Sequence, residues 1–444
     1  MPNHILKFTA AFSQALIVSA ALGLSFAPTT GISADQPAKT QQPSAKLQKP
    51  LHDAQEDIKN KKYSDAIAKL KAAEQIQGKT PYDQHLINQF LAYCYIRTQN
   101  YAEAAKPAEA QLDDGFTPQA EIPGLMREVI GLNYQIKDYD KVIEIGNRAM
   151  KAGYADEQTK TLIGQSYYLK GDWKGTLKFE EGVVDTEIKE GKTPKNDSLL
   201  LLYSACQKLN DVKCENSALE KLIAYYPKPE YWQQLLYQIR QETSGNEGNL
   251  LETYRLMNEV DIIKEAADYT EFAELAIDAG STGEAQAILE KGFARNVFTD
   301  KRNIERNQRL LDRAKKQAAS DQATLPKLEK EADAATTGQK NYGVGLGYYG
   351  YGQYDKAVDQ LSKAVAKGGV KNDAEAHLLL GISQFKAGHK DDASKSFKAV
   401  KGDPTLERLA NLWNLHMHEG AAKTASAGKS TTKKSSKSTK VAKG

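Results

Sequence analysis

What most constrains the fold of this chain is a spacing that keeps returning. A small residue is followed twelve positions later by a second one at Ala54 and Ala66, Ala92 and Ala104, Gly164 and Thr176, Ala273 and Ala285, Gly345 and Ala357, and Gly381 and Ala393. An aromatic side chain stands three positions before the second member at Tyr63, Tyr101, Trp173 and Tyr354, on the same face of a helix. Such spacing suits two antiparallel amphipathic helices joined by a tight turn, with small residues where their axes approach. The stretch from Ala374 to Pro404 shows it most fully: Gly381 and Ala393 form the close contact, Gly388 makes the turn and Phe397 fills the gap beyond. From Gly131 to Val142 the interval is one residue short, which predicts a tightened turn before Tyr139. Segments 199–227, with Ala218 as the small residue, and 231–257 fit more loosely.

These positions together resemble the tetratricopeptide repeat, in which a large and a small residue are followed by Ala, an aromatic and Pro over about 34 residues. The resemblance covers roughly Leu51 to Pro404. It implies an all-α fold, a superhelical solenoid of antiparallel helix pairs, about nine of them, with disordered termini. Segment 60–67 (Asn-Lys-Lys-Tyr-Ser-Asp-Ala-Ile) and the run from Phe397 to Trp413 are also similar to exported proteobacterial proteins built from such repeats. That likeness implies a fold and a location, and no activity.

The ends differ from the body. Before Asp35 the only charged side chain is Lys7; Ala10 to Phe26 is mostly apolar, and Ile32-Ser33-Ala34 offers a cleavage point. Residues 1–34 therefore read as a secretory signal cleaved after Ala34, which predicts a periplasmic or secreted chain; the rival reading is an uncleaved anchor. The apolar run is short and interrupted for a membrane span, so no transmembrane anchor is expected after cleavage. Residues 35–50 read as a flexible leader, 51–299 as an N-terminal array, 300–337 as a charged helical connector in which Pro326 kinks or restarts the helix, and 338–404 as C-terminal repeats. Residues 405–420 read as a capping helix and 421–444 as a disordered tail rich in Lys, Ser and Ala. Of the formal +3, Lys7 and seven tail lysines supply eight positive charges, which leaves the body near −5. An acidic body with a basic tail excludes a basic nucleic-acid-binding domain.

No constellation carries covalent chemistry. Cys94, Cys206 and Cys214 have no metal-ligand spacing; Cys206 and Cys214 are placed either for a hairpin disulfide, favoured by export, or as buried packing residues. His416 and His418 point to different faces of a helix and make a poor chelate. Gly343 to Gly352 contains the spelling of a dinucleotide-binding loop, but a polar helical stretch precedes it where a strand is required. Each interior glycine there costs roughly 1 kcal/mol against Ala, so this helix is expected to be soft or packed very closely on a neighbour. No catalytic residue, cofactor or metal is expected, and the chain is read as a non-enzyme. Solenoids bind along the wall formed by their first helices, which makes Tyr93, Arg97, Gln165, Tyr168, Tyr342, Tyr349, Phe385 and Lys386 the candidates for contact with a protein or peptide. The expected function is a scaffold in cell-envelope assembly or maintenance. The alternatives are an adaptor tethered through its basic tail to cell wall or another anionic envelope polymer, and a non-catalytic subunit of an envelope enzyme complex.

Overall fold

A computed structural model describes residues 42–431, with side chains through His418. The expected signal segment, most of the leader and residues 432–444 lie outside the described residues. Twenty helices and no strand occur among the described residues. The chain divides into two compact units, Met1–Asn210 and Asp211–Gly444, a boundary inside the stretch expected to be one N-terminal array.

The first unit contains α1 (Ala45–Lys59), α2 (Tyr63–Glu74), α3 (Pro81–Arg97), α4 (Tyr101–Asp113), α5 (Ile122–Gln135), α6 (Tyr139–Lys151), α7 (Glu157–Lys170), α8 (Trp173–Lys189) and α9 (Asn196–Leu209). Helix α1 begins inside the expected leader. The pairs α1–α2, α3–α4, α5–α6 and α7–α8 each turn through a residue in the left-handed region: Lys61, Gln99, Lys137 and Gly171, with φ of 58°, 59°, 63° and 80°. Each lies two positions before the aromatic that opens the second helix. Only Gly171 adopts this conformation without strain; the other three place a Cβ where it crowds the backbone. Asn100, Asp138, Asp156 and Asp172 accept the backbone N–H three residues on, which satisfies an otherwise unpaired donor at the helix start.

The small positions Ala54, Ala66, Ala92, Ala104 and Thr176 are buried as the spacing demands. The α5–α6 pair departs from the expected shortened turn. It keeps the twelve-residue interval, from Ile130 to Val142, both fully buried. A Cβ on Gly131 would meet open space, so that glycine is not the contact residue. Room is made instead at Gly146, whose missing Cβ admits Ile163 from α7.

The second unit contains α10 (Val212–Tyr225), α11 (Pro229–Thr243), α12 (Glu247–Glu259), α13 (Ala266–Asp278), α14 (Thr282–Ala294), α15 (Lys301–Asp333), α16 (Gln339–Gly350), α17 (Tyr354–Lys367), α18 (Asp373–Lys386), α19 (Lys390–Ala399) and α20 (Pro404–Thr431). Here the last helix does more than cap. It packs on α18 and α19 and also on α10 and α12, so this unit closes on itself. Arg408 bonds Glu220 at 2.8 Å, and Asn249 donates to Asp403 at 3.1 Å. Leu406, Leu409, Leu412, Trp413 and Met417 are buried beneath. Helix α20 also continues into the stretch read as the tail.

The charged segment forms α15, one helix through Pro326. Pro326 is exposed, so water can take the carbonyl freed by the missing N–H. Asn307, Leu311, Ala314, Ala318, Leu325 and Ala332 make a buried stripe, and α15 packs on both α14 and α16. The glycine-rich segment is α16 and its turn; it is closely packed at three of its five glycines, while Gly343 and Gly352 face open space. A Cβ at Gly345 would lie 2.6 Å from Leu361 Cγ, at Gly347 3.0 Å from Leu325 Cδ2, and at Gly350 2.8 Å from Ser281 Oγ. Cys206 and Cys214 are both disulfide-bonded, while Cys94 is free and buried, its thiol pushed up to about 12 by burial.

Candidate functional site

The centre of the second unit is polar. Helix α12 is buried on every side from Asn249 to Met257, and that run includes Glu252, at 0% exposure, and Arg255, at 2%. A charged pair three residues apart on a buried helix needs partners. Arg255 donates to Glu284 of α14 through Nε at 3.0 Å and through Nη2 at 2.8 Å, and to Glu252 through Nη1. Its guanidinium also lies 5.0 Å from the ring centre of Tyr349 on α16. One cation thus serves two carboxylates. Burial pushes Glu252 up to about 7 against the pull of Arg255, and Glu375 adds like charge. Tyr342 donates to Glu375 at 2.5 Å, and burial holds the phenol well above its ordinary range.

Arg255 and Glu284 are among the residues that line a groove of about 460 Å³. Its walls carry Tyr349, Tyr351 and Tyr354, and Lys386 and Glu259 meet in an ion pair at its edge. His416 also approaches Glu259, at 3.8 Å. Burial alone would raise Glu259, but His416 and Lys386 hold it below the usual carboxylate range. The groove offers aromatic area with hydroxyl handles beside fixed charges. No group of three or more His, Cys, Asp or Glu is placed to hold a metal among the described residues, and no described helix is long and apolar enough to cross a membrane.

The structure brings Tyr349 and Lys386 to this groove. The other residues singled out from the sequence lie elsewhere and have partners within their own unit. Tyr93 packs edge-on to Tyr63, and Arg97 lies over the same ring. Gln165 accepts from Tyr134 at 2.9 Å, and Tyr168 is 2.9 Å from Ser204. Tyr342 is engaged by Glu375, and Phe385 packs against Trp413 and His416. Several of these contacts join first helices of successive pairs, as Tyr237 on α11 does with Asp268 on α13 at 2.7 Å.

The fold is that of a tetratricopeptide-like helical solenoid. No family model matches the sequence, and no curated protein is similar to it. Among solved structures, one of Naa15/Naa10 bound to HypK-THB is similar at 15% identity and a TM-score of 0.36; the likeness covers 81% of this chain and 59% of that one. The C-terminal part of a TPR repeat-containing protein from Cytophaga hutchinsonii is 17% identical over 57% of this chain and 98% of its own, with a TM-score of 0.29. A tetratricopeptide repeat protein from Parabacteroides merdae is 11% identical over 76% and 98%, with a TM-score of 0.28. Nothing of the partners or activities of these proteins carries over at such identities.

Proposed function

We propose that this chain is an exported scaffold that binds a protein or peptide partner in the second unit's groove and acts without covalent chemistry of its own, in assembly or maintenance of the cell envelope. The observation that carries the reading is the groove itself, lined by Tyr349, Tyr351 and Tyr354, with the buried Arg255 beneath Tyr349 and paired with Glu252 and Glu284. Tyrosine offers large contact area with a polar end, the combination that anchors protein interfaces. Export rests on the signal-like start, Lys7 followed by the apolar run to Phe26. A second reading is favoured by the seven lysines after Gly420: a tether to an anionic envelope polymer by charge. Purification of the full-length and tail-deleted protein after crosslinking in cells, with mass spectrometry of what accompanies each, separates the two. The scaffold reading expects the same protein with both forms. Polymer or membrane material captured by the full-length form alone would replace it with the tether.

A further inference from the structure

The first unit contains a second cavity, of about 600 Å³, between α6, α7 and α8. Met150, Tyr167, Phe179 and Val183 give it apolar walls. Gly182 leaves one side open, since a Cβ there would meet nothing within 4 Å. The volume lies inside the range of about 300–1,000 Å³ that ligand sites occupy. Glu187 lines the cavity, is 7% exposed, and its Oε2 has no hydrogen-bond partner. Glu180, two turns earlier on α8, also has an unpartnered Oε2, and so does the Oδ1 of Asn196 at the start of α9. Of the three, only Glu187 lines the cavity. Two of the three lysines of the cavity wall pair with its other carboxylates, Lys160 with Glu157 at 2.8 Å and Lys192 with Glu190 at 2.6 Å; the third is Lys178, nine residues before Glu187 on α8.

We infer that this cavity binds a lysine side chain of a polypeptide, its ammonium donating to Glu187 and a neighbouring apolar side chain of the same peptide seated on Phe179 and Tyr167. The Glu187 carboxylate has no donor of its own in the cavity wall, and its charge makes a cation the favoured one. The apolar walls call for hydrocarbon next to that charge. Phe179 and Glu187 are eight residues apart, about 12 Å along a helix. An extended peptide covers that span in three to four residues, or fewer with the reach of a lysine side chain. The bound segment therefore has an apolar residue roughly three positions from its lysine. The site lies wholly in the first unit and stands or falls apart from the groove of the second.

The test uses the full chain and a fluorescein-labelled peptide, acetyl-Ala-Leu-Gly-Gly-Lys-Ala-amide, read by fluorescence anisotropy. Its control replaces the lysine with norleucine. The lysine peptide is expected to bind at least tenfold more tightly than the control. Glu187→Gln is expected to remove that difference and to leave the norleucine peptide within threefold of its wild-type affinity. Gly182→Phe fills the mouth of the cavity and is expected to abolish binding of both peptides while the helical circular dichroism stays unchanged. Equal affinity for the two peptides, an unaltered lysine preference in Glu187→Gln, retained binding in Gly182→Phe, or no binding by the wild-type protein up to about 1 mM each overturns the assignment.

Discussion

Glu180 stands where other helix pairs put an apolar plug. Sixteen residues after the first small position come Leu70, Leu289, Leu361 and Phe397, all buried; in the α7–α8 pair the same place holds Glu180, at 2% exposure. Gly164 leaves its space to that carboxylate, because a Cβ there would overlap Oε1. Burial pushes Glu180 from 4.5 up to about 8, opposed by a hydrogen bond to Ser198. An acid whose folded value is raised keeps its proton in the native state after the unfolded chain has lost it. Its contribution is whole below pH 4.5 and is lost as pH climbs through 8. At 1.36 kcal/mol per unit, the loss between pH 5 and 8.5 is about 4 kcal/mol. Glu180→Leu removes the titration and installs the leucine that three of its sister pairs carry there. The variant should therefore gain about 4 kcal/mol on wild type between those two pH values, on the same arithmetic. The assay equilibrates both proteins in urea at each pH, applies a brief deuterium pulse at one common pH, and reads peptides of α7 and α8 by mass spectrometry. Comparing variant with wild type cancels the slopes of other groups, including Asp83, whose burial would raise it but whose bonds from Thr80 and Ser44 hold it low. A relative gain under about 1 kcal/mol would refute the placement of an ionisable, solvent-free carboxylate at this joint.

Three further outcomes follow from the same packing. Arg255→Ala leaves Glu252 and Glu284 without their cation and should destabilise the second unit by about 3–5 kcal/mol in urea unfolding, with the first unit's transition unmoved. Lys61→Gly, Gln99→Gly and Lys137→Gly relieve left-handed backbone and should each stabilise the first unit by roughly 0.5–1 kcal/mol, read as a rise in its urea midpoint. Ending the chain at Asp403 removes five large side chains from the interior, at roughly 1.5–3 kcal/mol each, which rivals the whole stability of a domain; cooperative unfolding of the second unit should disappear from calorimetry.

The helix pairs were legible because their packing repeats. A twelve-residue interval and an aromatic before the small residue mark surfaces that meet in each pair, and local periodicity records them. The return of α20 to α10 and α12 was not legible. It depends on Arg408 meeting Glu220 and Asn249 meeting Asp403, contacts between residues more than 150 positions apart with no repeating signal. The groove was half legible. Tyr349 and Lys386 were found as first-helix residues, but Arg255 was missed, since segment 231–257 had lost the small positions that set the register. A signal was present there: Glu252 and Arg255 sit three apart within Leu250, Leu251, Tyr254, Leu256 and Met257, a charged pair in a run too apolar to face water. Glu180 was visible in the same way, as an acid at a position where the pattern asks for a plug. Most of the remaining tyrosines chosen as partner contacts join neighbouring helices, because a hydroxyl on a half-buried ring finds the adjacent repeat before it finds a partner.

The central claim is that the groove of the second unit holds a protein partner. A photocrosslinking amino acid in place of Ala287, an exposed residue of the groove wall, tests it in intact cells against the same substitution at Lys264, exposed and outside the groove. The account predicts one discrete protein adduct from position 287, lost when Tyr349→Ala is added, and none from position 264. No adduct at 287, or the same set of adducts from both positions, would contradict it.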